Sequence, residues 1–476
     1  MTPPYADSER QHYGLTLAVL LVAALSIALQ QTMVAPALPA IQEELDVSTT
    51  AVSFVFTAFL LSASVATPLI GRLGDMFGKE RMLVISLVVF GLGSVVCALS
   101  QSIEVLIAGR AVQGLAAAVF PLAFGIIRDE FPPKRVSTGI GVISATFGIG
   151  GGVGLVVSGV IVDNLHYQWL FWLALPLIAV AIVATHLWVP ESPVRSPARI
   201  DWLGAALLSA ALVTLLLGVS QANSWGWGSA RILGLFAAAA ALAVAWVAVE
   251  SRRREPLVDI RLMREPAVFA TNMAALLVGF GMFGSFILIP QLVQLPESTG
   301  FGLGASVTQA GLFLLPSSLA MLFAGPVAGW LGGRVGNKVP LLIGTGVVAV
   351  TFAVLAVEHS RVAIYACSTL LGVGIGFSFA SMANLVVAAV PQTQTGVATG
   401  VNTIMRTIGG SVGGSVAASI VAGHVALSTG LPEESGFTLA FVVSAVGVAL
   451  AFVATLAIPE RTAAGRLAAA HAAGRR

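Results

Sequence analysis

The sequence predicts an all-α polytopic membrane protein with fourteen transmembrane helices, and three features of its composition support this. Hydrophobic residues fill 57% of the 476 positions and charged residues only 10%, whereas soluble domains carry about 25% charged residues. Mean hydropathy is +0.94. The 51 glycines suit membrane helices, because small residues let neighbouring helices approach closely.

Apolar runs recur along the chain with short polar connections, and each is near the roughly 20 residues that cross a hydrocarbon core of about 30 Å. The first run follows a polar start that contains acids, so we expect an uncleaved first helix rather than a signal peptide. The predicted spans cover residues 14–39, 50–70, 82–100, 104–127, 137–162, 168–189, 202–221, 230–250, 267–293, 305–332, 339–357, 361–390, 395–423 and 436–458.

An internal repeat divides these spans into two similar groups of six, separated by two more. Gly71–Gly78 (GRLGDMFG) matches Gly329–Gly336 (GWLGGRVG) in its glycine spacing, and such repeats are typical of secondary transporters. We therefore predict an N-terminal six-helix bundle at 14–189 and a C-terminal six-helix bundle at 267–458. A linker with two extra transmembrane helices would occupy 190–266, and a cytoplasmic tail 459–476.

The basic residues predict the orientation, because cytoplasmic loops are enriched in Lys and Arg. With both termini in the cytoplasm, only Arg231 and Arg361 of the 24 basic residues fall in outside loops. Arg110 and Arg406 fall inside helices, and all the others lie in cytoplasmic segments. A wrong helix count would destroy this asymmetry, so the count and the orientation support each other.

Composition also argues against other classes of protein. A net charge of +2 indicates no nucleic-acid partner, and Cys97 and Cys367 lie singly in apolar runs, which disfavours a disulfide framework or a zinc site. We expect no metal and no cofactor. A membrane enzyme would need a reactive cluster of side chains at one interface, and a receptor would need a soluble domain; the sequence offers neither.

A glycine-rich loop between the second and third spans contains the most specific motif, Gly71-Arg72-Leu-Gly-Asp75-Met-Phe-Gly78-Lys79-Glu-Arg81. Its glycines allow a tight turn. The carboxylate of Asp75 can accept hydrogen bonds from a helix N-terminus or pair with an arginine. These residues would form a cytoplasmic gate, although a solvated basic turn would share the same composition.

Two arginines lie within predicted spans. Arg110 follows Glu104 by six residues, which places it about 9 Å into the membrane, with Gln113 on the same helical face. Arg406 lies about 15 Å deep, with Asn402 on its face. A buried cation of this kind is a functional candidate by default, and a snorkelling or structurally capped arginine is the alternative.

These motifs, together with Gly150, Gly154 and Gly159 in the fifth span, make the chain resemble the major facilitator superfamily, and more narrowly its fourteen-helix drug:proton antiporter branch. The resemblance implies two six-helix bundles, proton coupling through Arg110 and an export function. The chain departs from the family pattern at Leu155, where a proline is usual, and at Ser158, where a glycine is usual. It also carries Gln30 where many relatives have an acid.

The missing acid matters because proton antiporters usually titrate a carboxyl group within the membrane. All 22 acids fall in loops or near helix ends. The remaining proton-coupling candidates are Glu104, near Arg110, Asp163 at the outer end of the fifth span, and Asp75 in the glycine-rich loop, with His166 and His424 near the outside as further titratable groups. For each of them, an ordinary interfacial polar residue is the alternative.

The predicted substrate site lies between the two halves. We expect polar and aromatic side chains to line it: Gln30, Gln31, Gln113, Asn272, Phe280, Phe283, Phe377, Asn402 and Arg406, with Phe147, Phe313 and Phe379 as further aromatic candidates. Few polar anchors in an apolar site suit an amphiphilic small molecule.

The resemblance therefore implies a monomeric proton-driven exporter of hydrophobic or amphiphilic molecules in the bacterial inner membrane, working by alternating access. Its partners would be the amphiphilic substrate, protons and the lipid bilayer. The alternative is an exporter of lipids or anionic amphiphiles with weak or no proton coupling, which Gln30 and Arg406 favour.

Overall fold

A computed structural model describes residues 13–194, 201–253, 255–426 and 429–459. It has fourteen helical segments long and apolar enough to cross a membrane, and the described residues contain no β-strand beyond one isolated bridge. The predicted fold class is confirmed. Arg195, Arg199 and Arg254, as well as nearly all of the predicted tail, lie outside the described residues.

Eight helices build the first six spans. They are α1 (Tyr13–Glu44), α2 (Thr49–Phe77), α3 (Lys79–Ala98), α4 (Ile103–Gly114), α5 (Val119–Glu130), α6 (Pro133–Asn164), α7 (Trp169–Trp172) and α8 (Ala174–Trp188). The fourth and sixth spans are each broken into two helices, where the sequence predicts one. At the first break, residues 115–118 turn through short i→i+3 backbone bonds.

The remaining spans follow in the predicted order. The two central ones are α9 (Trp202–Trp225) and α10 (Ala230–Glu250), followed by the short helix α11 (Ile260–Arg264). The last six are α12 (Pro266–Gln294), α13 (Val307–Val335), α14 (Lys338–Leu355), α15 (Arg361–Ala389), α16 (Thr395–Gly423) and α17 (Glu434–Leu456). Most helices run a turn or so beyond the apolar runs, because their polar ends reach the interface. The domain boundaries stay a prediction.

We call the end of the molecule that carries Arg72, Lys79 and Arg128 the basic end, and the other the opposite end. Helices α1–α8 form the first helix group and α12–α17 the second, each with its own apolar core. Two seams join the groups, one between α6 and α13 and the other between α2 and α16.

Helix α9 lies along the seam between α2 and α16. Near the basic end, Ala205 packs in a small cluster with Val397 of α16 and Leu69 of α2. Near the opposite end, Ser220 shares a hydrogen bond of 2.9 Å with Thr57 of α2. Helix α10 packs against α9 and leaves most of its surface exposed, as expected for a helix that faces lipid.

Candidate functional site

The carboxylate of Asp75 bridges the two helix groups at the basic end. It lies in the last turn of α2 and accepts hydrogen bonds of 3.2 Å from the backbone N–H groups of Gly396 and Val397, in the first turn of α16. These N–H groups have no acceptor within their own helix, and the positive end of the helix dipole favours an anion there. A helix N-terminus is one of the two partners that the sequence suggests for this carboxylate.

Lys79 is fully buried beside this carboxylate. Its ammonium group lies 2.7 Å from Asp129 Oδ2 and 3.4 Å from Asp75 Oδ1. The basic partner of Asp75 is therefore a lysine rather than an arginine. Such a buried cation is stable only when paired, so Lys79 ties α5 to the α2–α3 turn on which Asp75 sits.

Arg128 makes the second connection between the groups. Its guanidinium donates to the Val390 carbonyl at 2.6 Å, to Thr395 Oγ1 at 2.6 Å and to the Pro391 carbonyl at 3.2 Å. It therefore joins α5 to the second helix group beside the Asp75 contact.

The other predicted gate residues surround this contact. Gly71 crosses Gly396 so closely that a methyl group on either would overlap the other's carbonyl. Gly78 forms the turn into α3 at a φ of 116°, a left-handed conformation that side chains disfavour. Arg72 is partly buried and Arg81 exposed, so the closed contact depends on Asp75, Lys79 and the glycines.

Arg110 is fully buried among neutral groups. Its Nη1 donates to Gln113 Oε1 at 2.6 Å and its Nε to the Val55 carbonyl at 3.3 Å, while the guanidinium lies 4.4 Å from the centre of the Phe59 ring. This cluster ends at the break between α4 and α5, where the chain leaves the helical path.

Two glutamines and a serine extend the cluster. Gln113 Nε2 donates to Gln30 Oε1 at 2.9 Å and to Ser94 Oγ at 2.8 Å. Ser94 also donates to Gln30. Gln30 thus takes the place of a family acid as an acceptor in the Arg110 network, but it adds no negative charge. Gln31, its neighbour, is partly buried.

The two acids predicted to couple protons lie at the opposite end, away from Arg110. Glu104 is exposed in the first turn of α4, and the partners recorded for Arg110 do not include it. Asp163 is also exposed, but its Oδ2 accepts a hydrogen bond of 3.1 Å from Thr308 Oγ1. That bond joins α6 to α13 and hence the two groups.

Arg406 lies between the two groups and contacts two aromatic rings. The guanidinium carbon is 4.1 Å from the centre of the Phe379 ring and 4.8 Å from that of Phe147. Phe147 belongs to α6 and stacks on Phe120 at 3.9 Å, so both groups contribute to this cluster. Among the described residues, no acid and no hydrogen-bond acceptor is recorded for Arg406.

The remaining predicted substrate residues are dispersed within the second group. Asn402 donates to Asn272 at 2.9 Å, so these two amides meet each other rather than Arg406. The backbone of Phe280 lies against Gly413 of α16, and the Phe283 ring lies against Gly410. Phe377 packs in an apolar cluster of α13 and α15.

The glycines of the fifth span hold α6 between two neighbours. Side chains at Gly150 and Gly154 would overlap Ala28 and Thr32 of α1, and a methyl group at Gly159 would lie 3.3 Å from Thr308 of α13. Thr32 also donates to the Gly150 carbonyl. The motif therefore sets close helix packing.

Sequence reasoning missed several residues of these sites. Arg128 and Asp129 were readable only as the charged end of a helix, although their position opposite the glycine-rich loop could have pointed to the gate. Ser94 and Phe59 carry no local signal, because their contacts come from other helices. Among the described residues, no group of acids, histidines or cysteines could hold a metal ion.

Comparisons with known proteins agree with this architecture. The family profile described as the Major Facilitator Superfamily matches residues 20–414. The tetracenomycin C resistance and export protein of Streptomyces glaucescens is 29% identical over 80% of this chain and 71% of its own length. The multidrug transporter protein MdtP of Bacillus subtilis is 27% identical over 78% of this chain and 68% of its own.

A solved structure shares the fold. The human organic anion transporter MFSD10 superposes with a TM-score of 0.68 at 17% identity, covering 93% of this chain and 99% of that one. An uncharacterized transporter of Mycobacterium tuberculosis is 32% identical over 77% of this chain, although the match spans 53% of that protein. The chain therefore belongs to the Major Facilitator Superfamily and is a membrane transporter, not an enzyme.

Proposed function

We propose that this protein exports hydrophobic and amphiphilic small molecules across the bacterial inner membrane by alternating access, in exchange for protons. The observation that carries the proposal is the closed contact at the basic end, where Asp75 and Arg128 join the two helix groups. The bacterial relatives named for drug or antibiotic export support the direction and the substrate class.

The orientation follows from the basic residues. With the basic end in the cytoplasm, the closed conformation is the outward-facing one, and both termini are cytoplasmic. Fusions of alkaline phosphatase, which is active only outside the cytoplasm, should be inactive at either terminus and active when inserted beside Arg231. We expect the working unit to be a monomer, since each chain contains both helix groups.

Proton exchange would use the opposite end. We propose Asp163 as the proton-accepting group, because its bond to Thr308 joins the two groups and would weaken on protonation. Arg110 and its neutral network would hold a fixed positive charge on the pathway. Glu104 is the second candidate acid.

Reconstituted vesicles with a trapped pH dye test the proposal. Adding ethidium, a lipophilic cation, under an imposed proton gradient should release protons in proportion to dye transport. Asp163→Asn should abolish this proton flux while downhill dye movement continues. Glu358→Gln is the matched control, since Glu358 is also an exposed acid at the opposite end but accepts only within its own loop, from Ser360. If ethidium were transported at the same rate with and without the proton gradient, antiport would be excluded.

A second candidate, export of lipids or anionic amphiphiles with weak or no proton coupling, is favoured by one observation. Within the described spans, charges away from the span ends are confined to Arg110 and Arg406, and both are positive. The structurally similar human protein carries the name of an organic anion transporter.

A further inference from the structure

The side chain of Arg406 is buried beside aromatic rings and has no protein acceptor among the described residues. The guanidinium packs against the Phe147 and Phe379 rings, which lie at right angles to each other with their centres 5.5 Å apart. A guanidinium presents five N–H donors around its edge. None of them has an acceptor among the described residues. These nitrogens are also absent from the described polar atoms that are both fully buried and without a partner, so the donors remain accessible.

Arg110 provides the internal comparison. Both arginines are buried and both contact phenylalanine rings, but Arg110 donates to Gln113 and to the Val55 carbonyl. Arg406 keeps 9% of its surface accessible, whereas Arg110 keeps none. Arg110 thus donates two bonds to the protein and leaves only its Nη2 without a partner, whereas all the donors of Arg406 are left for a ligand.

The position of Arg406 suits transport rather than structure. Phe147 comes from the first helix group, while Phe379 and Arg406 come from the second, so relative movement of the groups would open or close the aromatic enclosure. Helix α12 crosses α16 at this level so closely that a side chain at Gly279 would overlap the Arg406 carbonyl. The backbone below the guanidinium is thus held within the second group, while Phe147 belongs to the group across the seam.

We propose that Arg406, which packs against Phe147 and Phe379, binds the acidic group of an amphiphilic organic anion, so that substrate leaves the cell as an anion. A carboxylate or sulfonate would pair with the N–H edge in a bidentate manner. Its apolar body would lie against the neighbouring phenylalanines. The proposal rests on export by this protein but not on the exchange for protons, and it names the class of substrate.

A consequence for energetics follows from the charge. An anion that leaves a cell with a negative interior moves down the membrane potential, because moving one charge across the membrane takes up or releases zFΔψ. At equilibrium, the full membrane potential sets the concentration ratio of a monoanion that is transported without another ion. Export of this class therefore needs no acid within the membrane, which agrees with Gln30 standing where relatives have one.

Binding is tested with two probes of the same skeleton, anilinonaphthalene sulfonate and the uncharged phenylnaphthylamine. Ligands raise the unfolding midpoint of a protein according to their affinity. The purified protein should bind the sulfonate at least tenfold more tightly than the neutral amine. Arg406→Gln should remove this preference, and Phe379→Leu should weaken it about three- to tenfold. Arg406→Lys, which keeps the charge but loses the planar fork, should retain a reduced preference.

The matched control is Arg334→Gln. Arg334 also lies over an aromatic ring, 3.9 Å from the centre of Trp330, but it is exposed at the basic end. This variant should bind the sulfonate as the parent does. Equal binding of both probes by the parent, or an unchanged preference in Arg406→Gln, would overturn the proposal.

Transport is then followed in vesicles that carry valinomycin and a hundredfold inward potassium gradient. The lumen becomes positive, and the sulfonate should accumulate there toward about a hundredfold, with reversal when the gradient is reversed. Ethidium in parallel vesicles separates the two claims. Ethidium transport without sulfonate transport would keep the export function and refute the anion site, and transport of neither would refute both.

The same anionic chemistry is also found in phospholipids. A fluorescent phosphatidylglycerol and a fluorescent phosphatidylcholine, each followed by quenching of the outer leaflet, distinguish the source. Arg406-dependent movement of phosphatidylglycerol would identify a lipid substrate. Movement of the sulfonate alone would identify a free organic anion.

Discussion

Replacing Asp75 by asparagine should loosen the basic end. The substitution keeps the shape and one acceptor oxygen but removes the charge that faces the N-terminus of α16. Lys79 stays paired, because Asp129 lies closer to it than Asp75 does. The variant therefore isolates the contact between the carboxylate and the helix terminus.

The magnitude follows from that contact. The interaction of a partly buried charge with a helix terminus contributes up to about 2 kcal/mol, and a lost hydrogen bond adds about 1 kcal/mol. A net loss of about 1–3 kcal/mol would shift the equilibrium toward the open basic end by about 5- to 150-fold, since 1.4 kcal/mol is a factor of ten.

Cysteine alkylation measures this shift. In a background with Cys97 and Cys367 replaced by alanine, the reporter is Thr399→Cys, which lies one turn inside the closed contact and is 2% exposed. Maleimide should react with it faster in the Asp75→Asn protein by the factor above. Ser444→Cys, equally buried in α17, should react at an unchanged rate, which excludes general unfolding.

A matched acid provides the second control. Asp259 also accepts a backbone N–H at a helix start, at 2.9 Å from Arg261, but it joins no two helix groups. Asp259→Asn should leave the Thr399→Cys rate unchanged. If Asp75→Asn changed that rate less than twofold, or if Asp259→Asn changed it equally, the closed contact would not depend on the Asp75 charge.

Three further results are expected. Arg128→Lys keeps the charge but not the three donated bonds, so it should raise the alkylation rate of Thr399→Cys. The increase should be smaller than that caused by Arg128→Ala. Gly150→Ala should lower the thermal midpoint in detergent, by a loss of about 1–3 kcal/mol, because its methyl group would overlap Ala28, whereas Gly151→Ala has room and should not. A disulfide between Thr57→Cys and Ser220→Cys should stop transport, and reductant should restore it.

The spans were predictable from sequence because the bilayer leaves the chain little choice. Every backbone polar group within the hydrocarbon must find a partner, so a long apolar run has to be a helix. The bond between Arg110 and Gln113 was foreseeable for a similar reason, since residues three apart share a helical face. In the structure this bond measures 2.6 Å.

The site was less predictable, because its contacts arise between helices. Asn402 shares a face with Arg406, yet it bonds to Asn272 of α12. The rings beside Arg406 come from α6 and α15, and no local pattern selects Phe147 and Phe379 over other phenylalanines. The break after α4 was not predictable either, because residues 115–118 are apolar and include no residue typical of turns.

The two seams between the helix groups differ in a way that suggests how the protein moves. The seam between α6 and α13 is closed along its length, from Gly141 against Gly325 near the basic end to Asp163 and Thr308 at the opposite end. The seam between α2 and α16 is in direct contact near the basic end, and toward the opposite end α9 bonds to both helices.

Close glycine packing tolerates small rotations but not separation, so α6 and α13 would act as the pivot. The closed contact at Asp75 lies on the other seam, where the same rotation moves the helices furthest, and a few kcal/mol there are enough to select which end of the protein is open.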